Sequence, residues 1–266
     1  MPRLIDTHVH LDVLENPQDE IATARNCGVE RFVVPGVTSD GWHRLRELSE
    51  KLAGVYFAPG LHPQHAQSWR PGVAVELERL IQHPRAVAIG EVGLDRKAEA
   101  PLMLQEQVFV QMIAMACAAG KPLLIHQRGS VGRLLELLRR ERADRVGGIL
   151  HAFSGSLESA REAIALGFAI GIGGVITYPE AKRLSTLVRE LPADWLVLET
   201  DAPDISPYPL RGRDNRPSHL PIIAARLAEL RGWSLEQTVR LTTGNSCRVL
   251  RLPAWSRCDI MKGQEP

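Results

Sequence analysis

LIDTHVHL (4–11) decides how this chain is read. It starts on two apolar residues, and then Asp6, His8 and His10 alternate with Thr7 and Val9. Strand side chains alternate faces, so the carboxyl and both imidazoles are expected on one face. Burying such a trio is costly unless something satisfies it, and a divalent metal does so. A His-x-His pair alone reads equally as two satisfied structural histidines. At the end of a first barrel strand, after an in-phase Asp, it reads as a metal site.

Working outward, short apolar runs return seven more times. They are VERFVVPG (29–36), VYFAPGLHP (55–63), AVAIGEVGLD (86–95), PLLIHQR (122–128), VGGILHAF (146–153), GFAIGIGG (167–174) and WLVLETDA (195–202). Their near-continuous Val, Ile and Leu content suits strands covered on both faces. Helical stretches lie between them: 17–27, 40–53 opening at Asp40, 73–83, and 102–119 closed by Gly120. Ser130 and Ser156 are placed to cap the next two, and 179–190 fills the last slot. Helices near 218–231 and 234–250 follow a proline-rich loop. Eight strand–helix units predict a TIM-like (β/α)8 barrel in one domain over 1–255, with a frayed polar tail over 256–266. A doubly wound open sheet is the other arrangement considered; both place function beyond the carboxyl ends of the strands.

The bulk composition agrees. The 266 residues are 44% hydrophobic, enough for a full core, and a barrel needs roughly 250 residues. A formal net charge of +1 implies no strongly basic surface, though a local patch is compatible with it. No two of Cys27, Cys117, Cys247 and Cys258 form a CxxC pair, and Cys27 and Cys117 are expected as buried thiols. No leader pattern and no 18-residue apolar span is read, so a cytoplasmic setting without a membrane role is the default.

The polar residues gather at the ends of the runs. Glu91 follows apolar residues and is flanked by glycines; a solvated loop carboxylate is one reading, a bridge between two metals the other. His126 and His151 end successive strands. Glu199 and Asp201 are in phase on the eighth run; Asp201 is the better metal contact, with Glu199 a layer deeper and placed to orient a ligand, such as an imidazole N–H. Two metals sharing Glu91 account for the set: one held by His8, His10, Glu91 and Asp201, the other by Glu91, His126 and His151. His62, Arg128 and Arg216 stand where cations suit a phosphoester; each arginine also reads as an ordinary ion pair.

These residues resemble the TatD family of metal-dependent deoxyribonucleases, part of the amidohydrolase-like group. The matching stretches, in the family's order, are IDTHVHLD (5–12), GLHP (60–63), GEVGLD (90–95), IHQR (125–128), HAFSG (151–155), ETDAPD (199–204) and NRP (215–217). The resemblance implies the same barrel, the same two-metal ligand sets, and Mg²⁺- or Mn²⁺-supported 3′–5′ exonuclease action on DNA with some endonuclease activity, zinc being the metal members are often crystallised with. It also implies that Asp201 helps activate the water. Gln127-Arg128-Gly129-Ser130 departs from the acidic residue that many members carry after the arginine. Residues 203–217 look like the branch known only as metal-dependent hydrolases.

The favoured reaction is therefore hydrolysis of DNA phosphodiester bonds, with Asp201 as base and Glu91 catalytic. The alternatives are a hydrolase of a small phosphoester, amide or lactone, and a non-catalytic nucleic-acid-binding or scaffold protein, against which the complete ligand set argues. No Walker loop, dinucleotide fingerprint or nucleophile elbow points to an organic cofactor. A monomer is the default state.

Overall fold

The structure, a computed structural model, describes residues 3–253. Cys258 and the tail expected from residue 256 lie outside the described residues. Strand and helix alternate from the start: β1 (Leu4–Asp6), α1 (Pro17–Asn26), β2 (Val29–Pro35), α2 (Trp42–Lys51), β3 (Val55–Ala58) and α3 (Pro71–Leu80). Then come β4 (Ile89–Asp95), α4 (Leu102–Ala119), β5 (Leu123–Arg128), α5 (Val131–Arg140), β6 (Gly148–Leu150) and α6 (Leu157–Ala165). β7 (Phe168–Ile172), α7 (Lys182–Glu190), β8 (Leu196–Leu198), α8 (Leu220–Arg231) and α9 (Leu235–Val249) complete the order. Each strand falls inside one of the eight apolar runs.

Neighbouring strands pair in parallel, β1 to β3 in one ladder and β4 to β8 in another. Backbone bonds cross both seams. Val87 N–H donates to Phe57 O (3.0 Å) and Gly90 N–H to Pro59 O (3.2 Å) between β3 and β4. Thr7 N–H donates to Leu198 O (3.1 Å), Asp201 N–H to His8 O (2.9 Å) and His10 N–H to Ala202 O (2.9 Å) between β8 and β1. The architecture is the TIM-like barrel.

Two apolar clusters follow from strand alternation. Ile5, Val33, Tyr56, Ala88, Leu124, Ile149, Ala169 and Val197, contributed around the barrel, pack with Val249, Leu250 and Leu252 at the end of α9. The opposite strand faces pack under the helices, where Leu45, Leu48, Val73, Leu77 and Leu80 are buried as the helical spacing requires.

Several local expectations change. Gly120 does end α4 in the left-handed region (φ 62°), and Lys121 N–H returns to Ala116 O (3.0 Å), the double-wrapped helix ending that glycine favours. Ser156 caps α6 by accepting from Ser159 N–H (3.2 Å). Ser130 does not cap α5; its hydroxyl turns back to Arg128 O (3.4 Å). α2 begins at Trp42, because Thr38 caps a short 3₁₀ turn at Ser39–Gly41 first. Cys27 is exposed, since it lies in the turn leaving α1, and Cys117 is half-buried one position beyond the buried stripe that ends at Ala116. α4 is 18 residues long and apolar enough, by length and composition alone, to cross a membrane, although Gln105, Glu106, Gln107 and Gln111 interrupt its apolar run. It packs on β4, with Val108, Phe109, Met112 and Ile113 buried.

Candidate metal centre

All six expected ligands meet at the carboxyl-end mouth of the barrel. Glu91, 3% exposed, lies at the centre. Its Oε1 is 2.9 Å from His126 Nδ1 and 2.9 Å from His151 Nε2. Its Oε2 is 3.5 Å from His8 Nε2 and 4.0 Å from His10 Nε2. Asp201 Oδ1 is 3.6 Å from both His8 Nε2 and His10 Nε2. The imidazoles of His8 and His151 stack with centroids 3.9 Å apart.

Local backbone design places these groups. His126, His151 and Asp201 continue the inward phase of Leu124, Ile149 and Val197. Gly93 sits opposite His126 with φ 143°; a Cβ there would lie 2.0 Å from His126 O, so only glycine lets β4 approach β5 at this level. Asp201 takes a left-handed backbone (φ 60°), uncommon for a non-glycine residue, and its N–H is tied to β1 through His8 O.

The electrostatics call for a cation. Burial, with His151 alongside, pushes His8 down to about 4. Burial would also lower His151, but Glu91 overrides it and lifts that imidazole to about 10. Burial opposes ionisation of Glu91 too, yet the surrounding imidazoles hold it well below the usual carboxylate range. Both nitrogens of His8 and Nδ1 of His151 are buried with no hydrogen-bond partner. A buried cluster of orphaned imidazole nitrogens around anionic oxygens fits divalent metal. Three donor groups satisfy the distances for a cation: His8–His10–Asp201, His8–Glu91–His151 and His62–Asp95–His126.

Other expected residues fall into place differently. Asp6 is not part of this cluster. It is fully buried at the β8–β1 seam, accepting from Thr200 N–H (2.9 Å) and Thr200 Oγ1 (2.5 Å). β1 ends there, so strict alternation does not carry on to His8. Glu199 does lie deeper, but Oε1 is 3.8 Å from His151 Nδ1, too far for a hydrogen bond, and instead accepts the Ala152 backbone N–H (2.6 Å). It thus holds the turn that carries His151. His62 reaches the site, with Nε2 4.0 Å from Glu91 Oε1. Arg128 is exposed on β5, paired in register with Asp95, and its charge helps to hold the Asp95 carboxyl down. Arg216 is engaged with Glu20 of α1 at 2.7 Å.

Asp95 escaped the sequence reading although GEVGLD was in hand. Its Oδ2 lies 3.1 Å from His126 Nε2. The signal was its place: Asp95 is a carboxylate at the very end of the fourth apolar run, as His126 and His151 stand at the ends of theirs.

A family model described as TatD related DNase matches residues 5–251. YabD of Bacillus subtilis, an uncharacterized metal-dependent hydrolase, is 36% identical over 253 residues, covering 94% of this chain and 99% of that protein. The Mycobacterium tuberculosis TatD, described in the same words, is 35% identical over 269 residues, covering 96% and 100%. Among solved structures, that of YjjV, a TatD homolog from Escherichia coli, superposes with a TM-score of 0.89 at 31% identity, over 95% of this chain and 99% of that one. The chain is a metal-dependent hydrolase and belongs to the TatD-related DNase family.

Proposed function

We propose that this protein hydrolyses DNA phosphodiester bonds as a 3′–5′ exonuclease, at a centre of two divalent ions. His8, His10, Glu91 and Asp201 would hold one ion, and Glu91, His126 and His151 the other. The observation that carries the reading is the division of Glu91. One carboxylate oxygen faces the His126–His151 pair and the other faces the His8–His10 pair. One ion would leave half of these donors unused. The four imidazoles suit Zn²⁺ best, and Mg²⁺ or Mn²⁺ would rely chiefly on the carboxylates of Glu91 and Asp201.

Divalent ions supply Lewis acidity and charge neutralisation for in-line displacement at phosphorus. The chain's own residues do the rest. Asp201, kept ionised by its neighbouring imidazoles despite burial, accepts a proton from the attacking water. Glu199 fixes the backbone at Ala152 and with it the His151 ring. Arg128, exposed on β5, and His62 hold phosphate oxygens. Arg216 serves a flanking phosphate only by giving up Glu20.

A second reading has its own observation. A cavity of about 50 Å³ lies beside Asp201 and Glu199, lined by Phe153, Gly173, Gly174, Val175 and Leu184. Its mostly apolar lining beside a carboxylate, and not its volume, is what favours a small phosphoester, amide or lactone. The test is a panel of single-stranded DNA, duplex DNA and those small substrates, assayed with Mg²⁺, Mn²⁺ and Zn²⁺ in turn. The proposal expects release of nucleotides from 3′ ends. Hydrolysis of a lactone with inert DNA would replace it. The two-ion part has its own check: metal titration of chelator-treated protein should saturate at two per chain, and saturation at one would sink it.

A further inference from the structure

We infer that Asp95 is a positioning residue that fixes the ring of His126, presenting Nδ1 to the metal and retaining the proton on Nε2. The inference rests on metal binding at the mouth, and not on DNA as substrate.

The geometry is specific about the two ring nitrogens. Nδ1 of His126 faces Glu91 Oε1 at 2.9 Å and His151 Nε2 at 3.4 Å, so it looks into the donor cluster. Nε2 points away from it, to Asp95 Oδ2 at 3.1 Å. An imidazole that gives one nitrogen to a metal needs an acceptor for the N–H at the other, and a carboxylate is a strong one. His126 therefore has a ligand side and an anchor side.

Asp95 is itself held on every part that could move. Its Oδ1 accepts Lys97 N–H at 2.7 Å. Its backbone is gripped from the opposite element: Asp95 N–H donates to Gln105 Oε1 (2.8 Å), and Gln105 Nε2 donates to Asp95 O (2.9 Å) and to Ala100 O (2.7 Å). Gln105 is 2% exposed on the inner face of the apolar helix α4. A buried glutamine whose amide is spent on one neighbouring strand end has a clamping purpose there. The chain of contacts runs from α4 through Gln105 and Asp95 to His126. Each member is buried or half-buried, which keeps water from competing for Nε2.

His62, Asp95 and His126 also lie close enough to be taken for a third cation site. The Oδ2 to Nε2 distance of 3.1 Å is that of a direct hydrogen bond but would equally fit two ligands of one ion, so the number of ions bound separates the two arrangements. His62 meanwhile uses Nδ1 to accept Gln64 N–H at 3.2 Å, which fixes its own ring without Asp95.

The experiment compares wild type with Asp95→Asn and Asp95→Ala in the full chain. Zinc affinity is measured by chelator competition, and ¹⁵N-resolved imidazole spectra are recorded for the zinc-loaded protein. In wild type, two zinc ions bind, the His126 nitrogen shifted by zinc is Nδ1, and its Nε2 proton exchanges slowly with water. In D95N one of the two affinities drops, and in D95A it drops further, by about 10–100-fold, while the other stays near wild type. The Nε2 proton signal shifts in D95N and is lost to exchange in D95A. A loss of fold would leave these signatures unreadable in a variant, so the wild-type spectrum stands as a test by itself: zinc on Nε2 of His126 overturns the inference. Unchanged affinities in both variants overturn it as well. So does binding of three ions in wild type, with the third lost in D95N. Failure of wild type to bind zinc at all would instead sink the two-ion reading.

Discussion

The six residues expected to bind metal were legible because each ends an apolar run with a group that a barrel interior does not tolerate alone. Their partners were less legible. Asp95 and Gln105 sit in a strand end and a helix whose own patterns explain them, and only the fold brings them to His126. Asp201 is the residue whose role is sharpest. Asp201→Asn keeps size and one oxygen but loses charge and basicity. We expect it to fold, to keep the ion at Glu91, His126 and His151, and to lose kcat by about 10²-fold or more, the range a general base contributes. Glu199→Gln should cost less, because Glu199 touches Ala152 N–H and not the reacting atoms. Measuring kcat and metal content in both variants decides it: near wild-type kcat in D201N at full occupancy removes Asp201 as base. The two arginines now separate. Arg128→Ala should raise KM for DNA with little change in melting temperature, whereas Arg216→Ala should do less to binding, since Arg216 is already paired with Glu20. Equal DNA kinetics in R128A and wild type would end the phosphate role.

Strand existence was readable from apolar runs, and strand phase was readable where ladders are regular. Leu124 leads correctly to His126, Ile149 to His151 and Val197 to Asp201. The rule fails at β1, which stops at Asp6, and at β4, where pairing shifts between Ile89 and Val92. Those two irregular places are where His8, His10 and Glu91 turn into the mouth, so the departure from alternation is part of the site. Helix ends followed local chemistry at Gly120 and Ser156, and failed at Ser130 because a hydroxyl has competing acceptors nearby. The β4–β5 contact can be tested at Gly93. Gly93→Ala puts a Cβ against the His126 carbonyl in a backbone conformation that alanine resists. We expect a loss of about 1–3 kcal/mol or more, seen as a lower melting temperature of metal-free protein, and weaker binding of the ion at His126. Wild-type melting and wild-type zinc affinity together in G93A would show that the strands can separate there without consequence.

A barrel closes only if its last strand finds its first, across nearly the whole chain. Backbone bonds do part of this, the Thr7 hydroxyl donates to Leu198 O (3.1 Å), and Asp6 adds a clamp by taking the Thr200 N–H and hydroxyl, 194 residues away in sequence. That clamp carries a pH signature. Burial raises the Asp6 carboxyl from an ordinary value of 3.8 to about 7, with Asp201 adding to the rise and the Thr200 bonds opposing it. A raised folded value means that the folded chain binds more protons than the unfolded chain between about pH 4 and 7. Asp6 therefore contributes stability that is fully present below pH 4 and is lost as pH rises through about 7. Glu199, raised to about 8 by burial, acts with the same sign over a window reaching higher. Asp6→Asn keeps an acceptor for Thr200 N–H and a donor for its hydroxyl, but does not titrate. We expect the melting temperature of metal-free wild type to fall more steeply between pH 5 and 8 than that of D6N, by on the order of 5–10 °C for a loss of about 2–4 kcal/mol. The residual slope in D6N should flatten further in Asp6→Asn/Glu199→Gln. Parallel curves for wild type and D6N would mean that Asp6 stays ionised inside the seam, held by Thr200 alone, and that barrel closure is indifferent to its proton.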